Sequence, residues 1–160
     1  MLQIRRYKPE DNSAVKELNL LGIRQMTEMD HMKVRPDSAD ADFDDIENVY
    51  IKNRGDFLIG LQGSKIVAIG ALKKYSETCG EIKRIRIRPD CQRKGYGETM
   101  MLKLIELAKR LKYRELILDT LVSNVPAQHL FEKIGFVEIR RGSSGPFNLI
   151  YYGKRLIRDK

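Results

Sequence analysis

The sequence predicts a mixed α/β domain in which a predominantly antiparallel sheet of about seven strands is flanked by four helices. Three observations carry this. Hydrophobic spacing along the 160 residues switches between period two and helical period, in the order strand, two helices, three strands, helix, strand, helix, two strands. Tight-turn residues join several consecutive strands, which makes those pairs antiparallel, whereas a crossover through a long helix makes its pair parallel. No repeat, low-complexity tract or linker divides residues 1–160, so one domain with one sizeable core is expected.

Gln3 to Tyr7 reads as a strand, ended by Lys8-Pro9-Glu10. Asp11, Asn12 or Ser13 caps a helix whose apolar positions Val15, Leu18 and Leu21 recur at helical spacing. Met26 to Ala41 holds methionines, a proline and several acids without a steady period, and reads as a loop or broken helix. Phe43, Ile46, Val49 and Tyr50 mark a second helix, capped near Asp40 or Asp42. Phe57 to Leu61 and Lys65 to Tyr75 form a hairpin around Gln62-Gly63-Ser64, and Glu81 to Arg88 is a further strand stopped by Pro89. An amphipathic helix follows from about Gly97 to Leu111, with Met101, Leu104, Ile105 and Ala108 on one face. Leu116 to Leu121 is apolar enough for a central strand. Pro126 opens the next helix and Gly135 ends it. Phe136 to Arg141 and Asn148 to Leu156 close the sheet.

Charge is unevenly placed. The net charge is +8, and half of it falls between Glu81 and Lys94, where six basic residues meet two acids. From Asp37 to Glu47 there are six acids and no Lys or Arg. The basic stretch suits an anion and the acidic run suits a cation. No apolar run is long enough to span a membrane, and the N-terminal residues lack the apolar core of a secretory signal. Cys79 and Cys91 have neither CxxC spacing nor a histidine pair nearby, so no metal site is expected, and a reducing cytoplasmic setting fits. Nucleic-acid binding is not expected either, because no stacking surface or recognition helix accompanies the charge.

The most informative segment is Arg88-Pro89-Asp90-Cys91-Gln92-Arg93-Lys94-Gly95-Tyr96-Gly97. A strand ends, a basic loop follows, and a long helix begins at once. Gly95 and Gly97 let backbone N–H groups approach a ligand without Cβ atoms in the way. A helix N-terminus offers free donors and a positive dipole end, and Arg93 and Lys94 add charge, which together favour a phosphate group. The spacing fits neither a P-loop nor a dinucleotide fingerprint.

Gln92-x-x-Gly95-x-Gly97 after this strand resembles motif A of the GNAT superfamily of N-acetyltransferases. Asn124-x-x-Ala127-x-x-Leu130-Phe131-Glu132-Lys133-Ile134-Gly135-Phe136 resembles its motif B, in the expected order. Glu81-Ile82-Lys83-Arg84 and Leu118-Asp119-Thr120 are similar to a bacterial branch of the same superfamily. The resemblance covers roughly residues 80–136 and implies the GNAT fold and transfer of acetyl from acetyl-CoA to a small-molecule or peptide amine, releasing coenzyme A. The acidic run from Asp37 to Glu47 occupies the place where family members build the acceptor pocket, so by the resemblance the cation would be an acceptor such as a polyamine, an amino sugar or a basic peptide. Homodimers are frequent in the family.

By that resemblance, the strand carrying Ile85, Arg86 and Ile87 splays from the strand carrying Leu118, and the gap receives the pantetheine arm. Gln92, Arg93, Lys94, Gly95, Tyr96, Gly97 and Glu98 surround the pyrophosphate. The Ile87 N–H polarises the thioester carbonyl, Asn124 and Ala127 line the pantetheine side, and Phe131 lies against the sulfur. Many family members carry a tyrosine at that last position, which protonates the departing thiolate. Phenylalanine cannot, so water, another hydroxyl or unassisted departure must serve. Glu81 stands where the family often has its general base, with Asp119 as second candidate. Glu81 could instead pair with Lys83 or Arg84, and Asp119 could bond the Asn124 loop. Strict alternation puts Arg84, Arg86 and Arg88 on one strand face and Glu81, Lys83, Ile85 and Ile87 on the other, with the arginines open to solvent or to an anionic group. Two alternatives keep the fold: an acetyltransferase for protein N-terminal amines, and a non-catalytic acyl-CoA sensor. His31 and His129 read as surface residues, and Met26, Met29 and Met32 as packing.

Overall fold

A computed structural model describes residues 1–30 and 38–156, the side chains of 26–30 and 38–40 excepted. Its elements in order are β1 (Gln3–Arg6), α1 (Asn12–Asp30), a 3₁₀ segment (Ser38–Asp44), a π-helical turn (Glu47–Ile51), β2 (Asp56–Gln62), β3 (Lys65–Lys74), β4 (Cys79–Ile87), α2 (Tyr96–Arg110), β5 (Glu115–Leu121), α3 (Val125–Lys133), β6 (Val137–Ser144) and β7 (Phe147–Arg155). The strands form one sheet of seven in the order β1-β2-β3-β4-β5-β7-β6. Only β4–β5 is parallel; every other neighbouring pair is antiparallel. The mixed, mainly antiparallel sheet is the one the element order predicts.

Two apolar layers cover the sheet. On one face Val15 and Leu18 of α1, with Phe43, Ile46 and Tyr50, pack on Phe57, Ile59 and Ile69. On the other, Met100, Met101 and Leu104 of α2 and Phe131 of α3 pack on Leu72, Ile82, Leu116, Leu118 and Tyr152. The alternation of β2 and β3 feeds both layers, and this explains why those strands read as nearly continuous apolar runs.

Three expectations need correction. Of the loop or broken helix expected from Met26, the first five residues are helical, because α1 continues through Asp30. His31, Met32 and Asp37 lie outside the described residues, as do the side chains of Met26, Met29 and Asp40. The second helix is split into the 3₁₀ segment and the π turn, with Tyr50 held in the core by its hydroxyl bond to Asp42. Strict alternation also fails in β4. The register with β3 shifts between the Ile69–Arg86 and Ala71–Lys83 pairs, and Arg84 takes φ 60, so the strand carries a bulge there. The extra residue moves Ile85 to the α2 side with Ile82 and Ile87, while Arg84 and Arg86 point toward α1, as Glu81 and Lys83 do. The arginines of this face are not a solvated row: Arg84 bonds Asp42 and lies over the Phe43 ring, Arg86 reaches Asn19, and Arg88 pairs with Asp90.

Candidate functional site

The turn from β4 into α2 sets the first half of the site. Pro89–Cys91 makes a short 3₁₀ turn, Arg93 takes φ 63, and Gly95 sits at φ 79 as the residue before the helix. A Cβ on Gly95 would meet nothing within 4 Å, so the glycine serves backbone geometry and leaves open space in front of the helix. Among the described residues no side chain caps α2, so the N–H groups of its first turn, at Tyr96, Gly97 and Glu98, keep their capacity to donate outward. Arg93 and Lys94 are exposed at the same corner.

Several predicted side chains there are engaged within the chain instead. Tyr96 packs with Val67 and Cys91 in a small buried cluster. Glu98 pairs with Lys133 of α3 at 2.9 Å. Gln92 exchanges amide bonds with Gln25 of α1 and donates to the Ile87 carbonyl at 3.2 Å, so it braces the loop. Tyr96 and Glu98 can therefore contribute only their backbone at the helix end.

The second half of the site is a gap. β4 and β5 pair at three positions only, Cys79–Glu115, Gly80–Leu116 and Glu81–Ile117, and then diverge. Arg88 N–H donates to Val67 on β3 at 2.8 Å, so by alternation the Ile87 N–H points to the opposite edge, into the gap. By the same alternation Ile85 and Ile87 present backbone toward Leu118 without a partner strand on that side, whereas the Arg86 backbone is turned to Ile69 of β3, so the expectation that Arg86 lines the gap is corrected. Asn124 caps α3 by accepting from the Ala127 N–H at 3.3 Å, which leaves its amide N–H₂ to donate. Phe131 is buried, with its ring 5.7 Å from that of Tyr152 and 6.2 Å from that of Phe136. His129 is exposed on α3.

Charged groups gather where the gap opens on the α1 side. Glu81 makes no ion pair with Lys83 or Arg84, and Asp119 no hydrogen bond to the Asn124 loop, among the described residues. Burial pushes the Glu81 carboxyl above its ordinary range, Lys83 opposes this, and Asp119 adds to it. Burial likewise raises Asp119, with Lys83 and Arg140 opposing, although the side chain still meets solvent. A part-buried Glu81 with Asp119 near it beside a backbone gap is suited to take up a proton. Three of the six acids of the acidic run have basic partners within the chain: Asp42 in Arg84, Asp44 in Lys16 and Glu47 in Lys52. Those pairs weaken its support for a cationic acceptor.

A seven-stranded mixed sheet, parted at its one parallel pair beside a glycine turn and an uncapped helix, defines an acyltransferase fold. Residues 20–136 match the Acetyltransferase (GNAT) family, and the chain belongs to it, a family of N-acetyltransferases. The uncharacterized N-acetyltransferase YsnE of Bacillus subtilis is 35% identical over 77 residues, which cover 47% of this chain and 51% of that one. The chain spans about half the length of that relative, and 37% of the N-acetylaspartate synthetase of Xenopus tropicalis, which is 28% identical over 100 residues and 61% of this chain. In structure the chain is similar to a GNAT-family acetyltransferase from Staphylococcus aureus Mu50, with a TM-score of 0.84 at 20% identity, covering 98% of this chain and 100% of that one.

Proposed function

We propose that the protein transfers the acetyl group of acetyl-CoA to an amine by direct attack, without a covalent enzyme intermediate. The observation that carries this reading is the gap between β4 and β5 lying beside the open Gly95 turn. The residues fit the cofactor: a cradle with empty space before Gly95, exposed Arg93 and Lys94, and an unpaired strand edge of about pantetheine character, rich in backbone donors and acceptors. Acetyl-CoA, when bound, supplies a thioester activated toward a neutral amine.

The chain's own groups divide the remaining work. The first-turn N–H groups of α2 at Tyr96, Gly97 and Glu98, with Arg93, Lys94 and Gly95, hold the pyrophosphate, while Gln92 braces the loop. Ile85 and Ile87 hold the pantetheine arm through their backbone, with Asn124 and Ala127 on the far side. The Ile87 N–H polarises the acyl carbonyl from within the gap. Glu81 takes the amine proton, directly or through water; its raised affinity for protons suits that task, and Asp119 is the alternative base. Phe131 packs and gives no proton, so the thiolate leaves to water or unaided. No described cysteine serves as a nucleophile: Cys79 and Cys91 are both buried.

Thiol release from acetyl-CoA over a panel of amines tests the proposal. Turnover with one class of amine and none without amine is expected; binding of acetyl-CoA with no transfer to any amine would instead favour a sensor.

A further inference from the structure

One row of side chains crosses the sheet at the gap. Asp119 of β5 stands opposite Tyr151 of β7, and Tyr151 stands opposite Arg140 of β6, so the three side chains share a face. Arg140 is exposed on the edge strand and lies along the sheet, its guanidinium 3.7 Å from the centre of the Tyr151 ring. On the other side of the gap, Lys83 is two residues beyond Glu81, and Asp119 is two residues beyond Ile117, the partner of Glu81. Lys83 and Asp119 are therefore level with each other across the opening. Lys73 of β3 faces Glu81 on the same surface.

The five charges, three positive and two negative, close no ion pair with one another, because none of the short contacts among the described residues joins them. Their net sign is wrong for a polycation. Strands lie about 4.8 Å apart and β7 separates β5 from β6, so Arg140 starts about two strand spacings from Asp119 and reaches back over the Tyr151 ring toward it, leaving room for a small molecule between the two charges. A molecule whose ammonium and carboxylate share one carbon bridges such a gap with one bond on each side.

Resting on the acetyltransferase reading, we propose that the acceptor is a free amino acid, its ammonium held at Asp119 and Glu81 beside the gap and its carboxylate by Arg140. Arg140 is then a specificity-determining residue, and the bidentate geometry of a guanidinium toward a carboxylate is the reason an arginine suits the position. The stacked tyrosine fixes the fork and shields one of its faces from water.

The test uses the full chain, acetyl-CoA and matched pairs of acceptors: free L-amino acids and their carboxamides, which keep the amine and lose the carboxylate. Thiol release should favour the acids by about tenfold or more in kcat/KM, the weight of a charge-assisted hydrogen bond. Arg140→Gln should erase that preference by raising KM for the acids while leaving the acetyl-CoA KM unchanged, and Arg140→Lys should restore part of it. Equal use of acids and carboxamides, a preference for polyamines or peptide amines, or a preference that survives Arg140→Gln would overturn the inference and leave the acetyltransferase reading standing. If no amine is acetylated, that reading fails first. Calorimetric titration of the same amino acids into the acetyl-CoA-saturated protein then decides: saturable binding weakened by Arg140→Gln supports the row, and no binding sinks it.

Discussion

Replacing Asp42 by Asn tests the contact that ties the α1-side cover to the bulge in β4. Asp42 accepts from Arg84 at 2.7 and 3.1 Å and from the Tyr50 hydroxyl. The side chains of Arg84 and Asp42 are only 12% and 14% exposed. Breaking a buried pair by removing one charge costs about 3–5 kcal/mol. The residual exposure and the one amide oxygen left to accept lower this to about 2–3 kcal/mol, or roughly 4–10 °C in Tm for a chain of this size. Urea denaturation at neutral pH measures the loss. Removing both partners, as Asp42→Leu with Arg84→Met, should recover much of it, because the stranded charge is gone. Burial works to raise the Asp42 carboxyl, but the bonds from Arg84 and Tyr50 prevail and its affinity for protons is lowered in the fold. A depressed folded value gives stability that is complete above the unfolded carboxylate range and is lost as pH falls through the folded value. The gap between wild type and variant should therefore hold from pH 8 to 5 and narrow below about pH 4. A loss under about 0.5 kcal/mol at neutral pH, the size of an ordinary surface change, would refute the reasoning.

Other expectations follow from the same geometry. Burial raises the Glu81 carboxyl, so the wild-type rise of kcat/KM with pH should lie above the usual carboxylate range. Glu81→Gln should flatten that rise, and an unchanged profile would remove Glu81 as base. Phe131→Ala opens a hole beneath α3 against Tyr152 and Phe136 and should cost about 3–5 kcal/mol in denaturant titrations. Burial pushes the Cys79 thiol up to about 11. Iodoacetamide at pH 8 should accordingly label Cys79 roughly a hundredfold more slowly in the native than in the urea-unfolded protein, as read by mass spectrometry.

The parts of the site that rest on local chemistry were legible in the sequence. Gly95 and Gly97 at a strand-to-helix junction announce a turn and an open helix end whatever the rest of the chain does, and the element order around them gives the sheet. The parts that rest on pairing were not. A bulge at Arg84 arises from how β3 and β4 align, and an arginine at positive φ leaves no compositional sign. One inserted residue was enough to bring Glu81 and Lys83 onto the face of Arg84 and Arg86, and the partners Asp42 and Asn19 replace the picture of a solvated basic row. The partner of Arg84, Asp42, lies in the acidic run that by composition alone suggested a cationic acceptor. Arg140 carried no signal at all, since its place beside Tyr151 depends on a second register shift, between Glu138 and Arg140 in β6. Tyr96 and Glu98 were correctly placed at the helix start, but their side chains turn to a buried cluster and to Lys133.

Calorimetric titration of acetyl-CoA into wild-type protein and Gly95→Val tests the central claim most directly. A valine at φ 79 is strained by about 1–2 kcal/mol or more and fills the space before α2. Saturable binding by wild type, weakened about tenfold or more in a variant that remains folded, is the predicted result. Absence of acetyl-CoA binding by the wild type, or equal binding by both proteins, would contradict a cofactor site at the Gly95 turn.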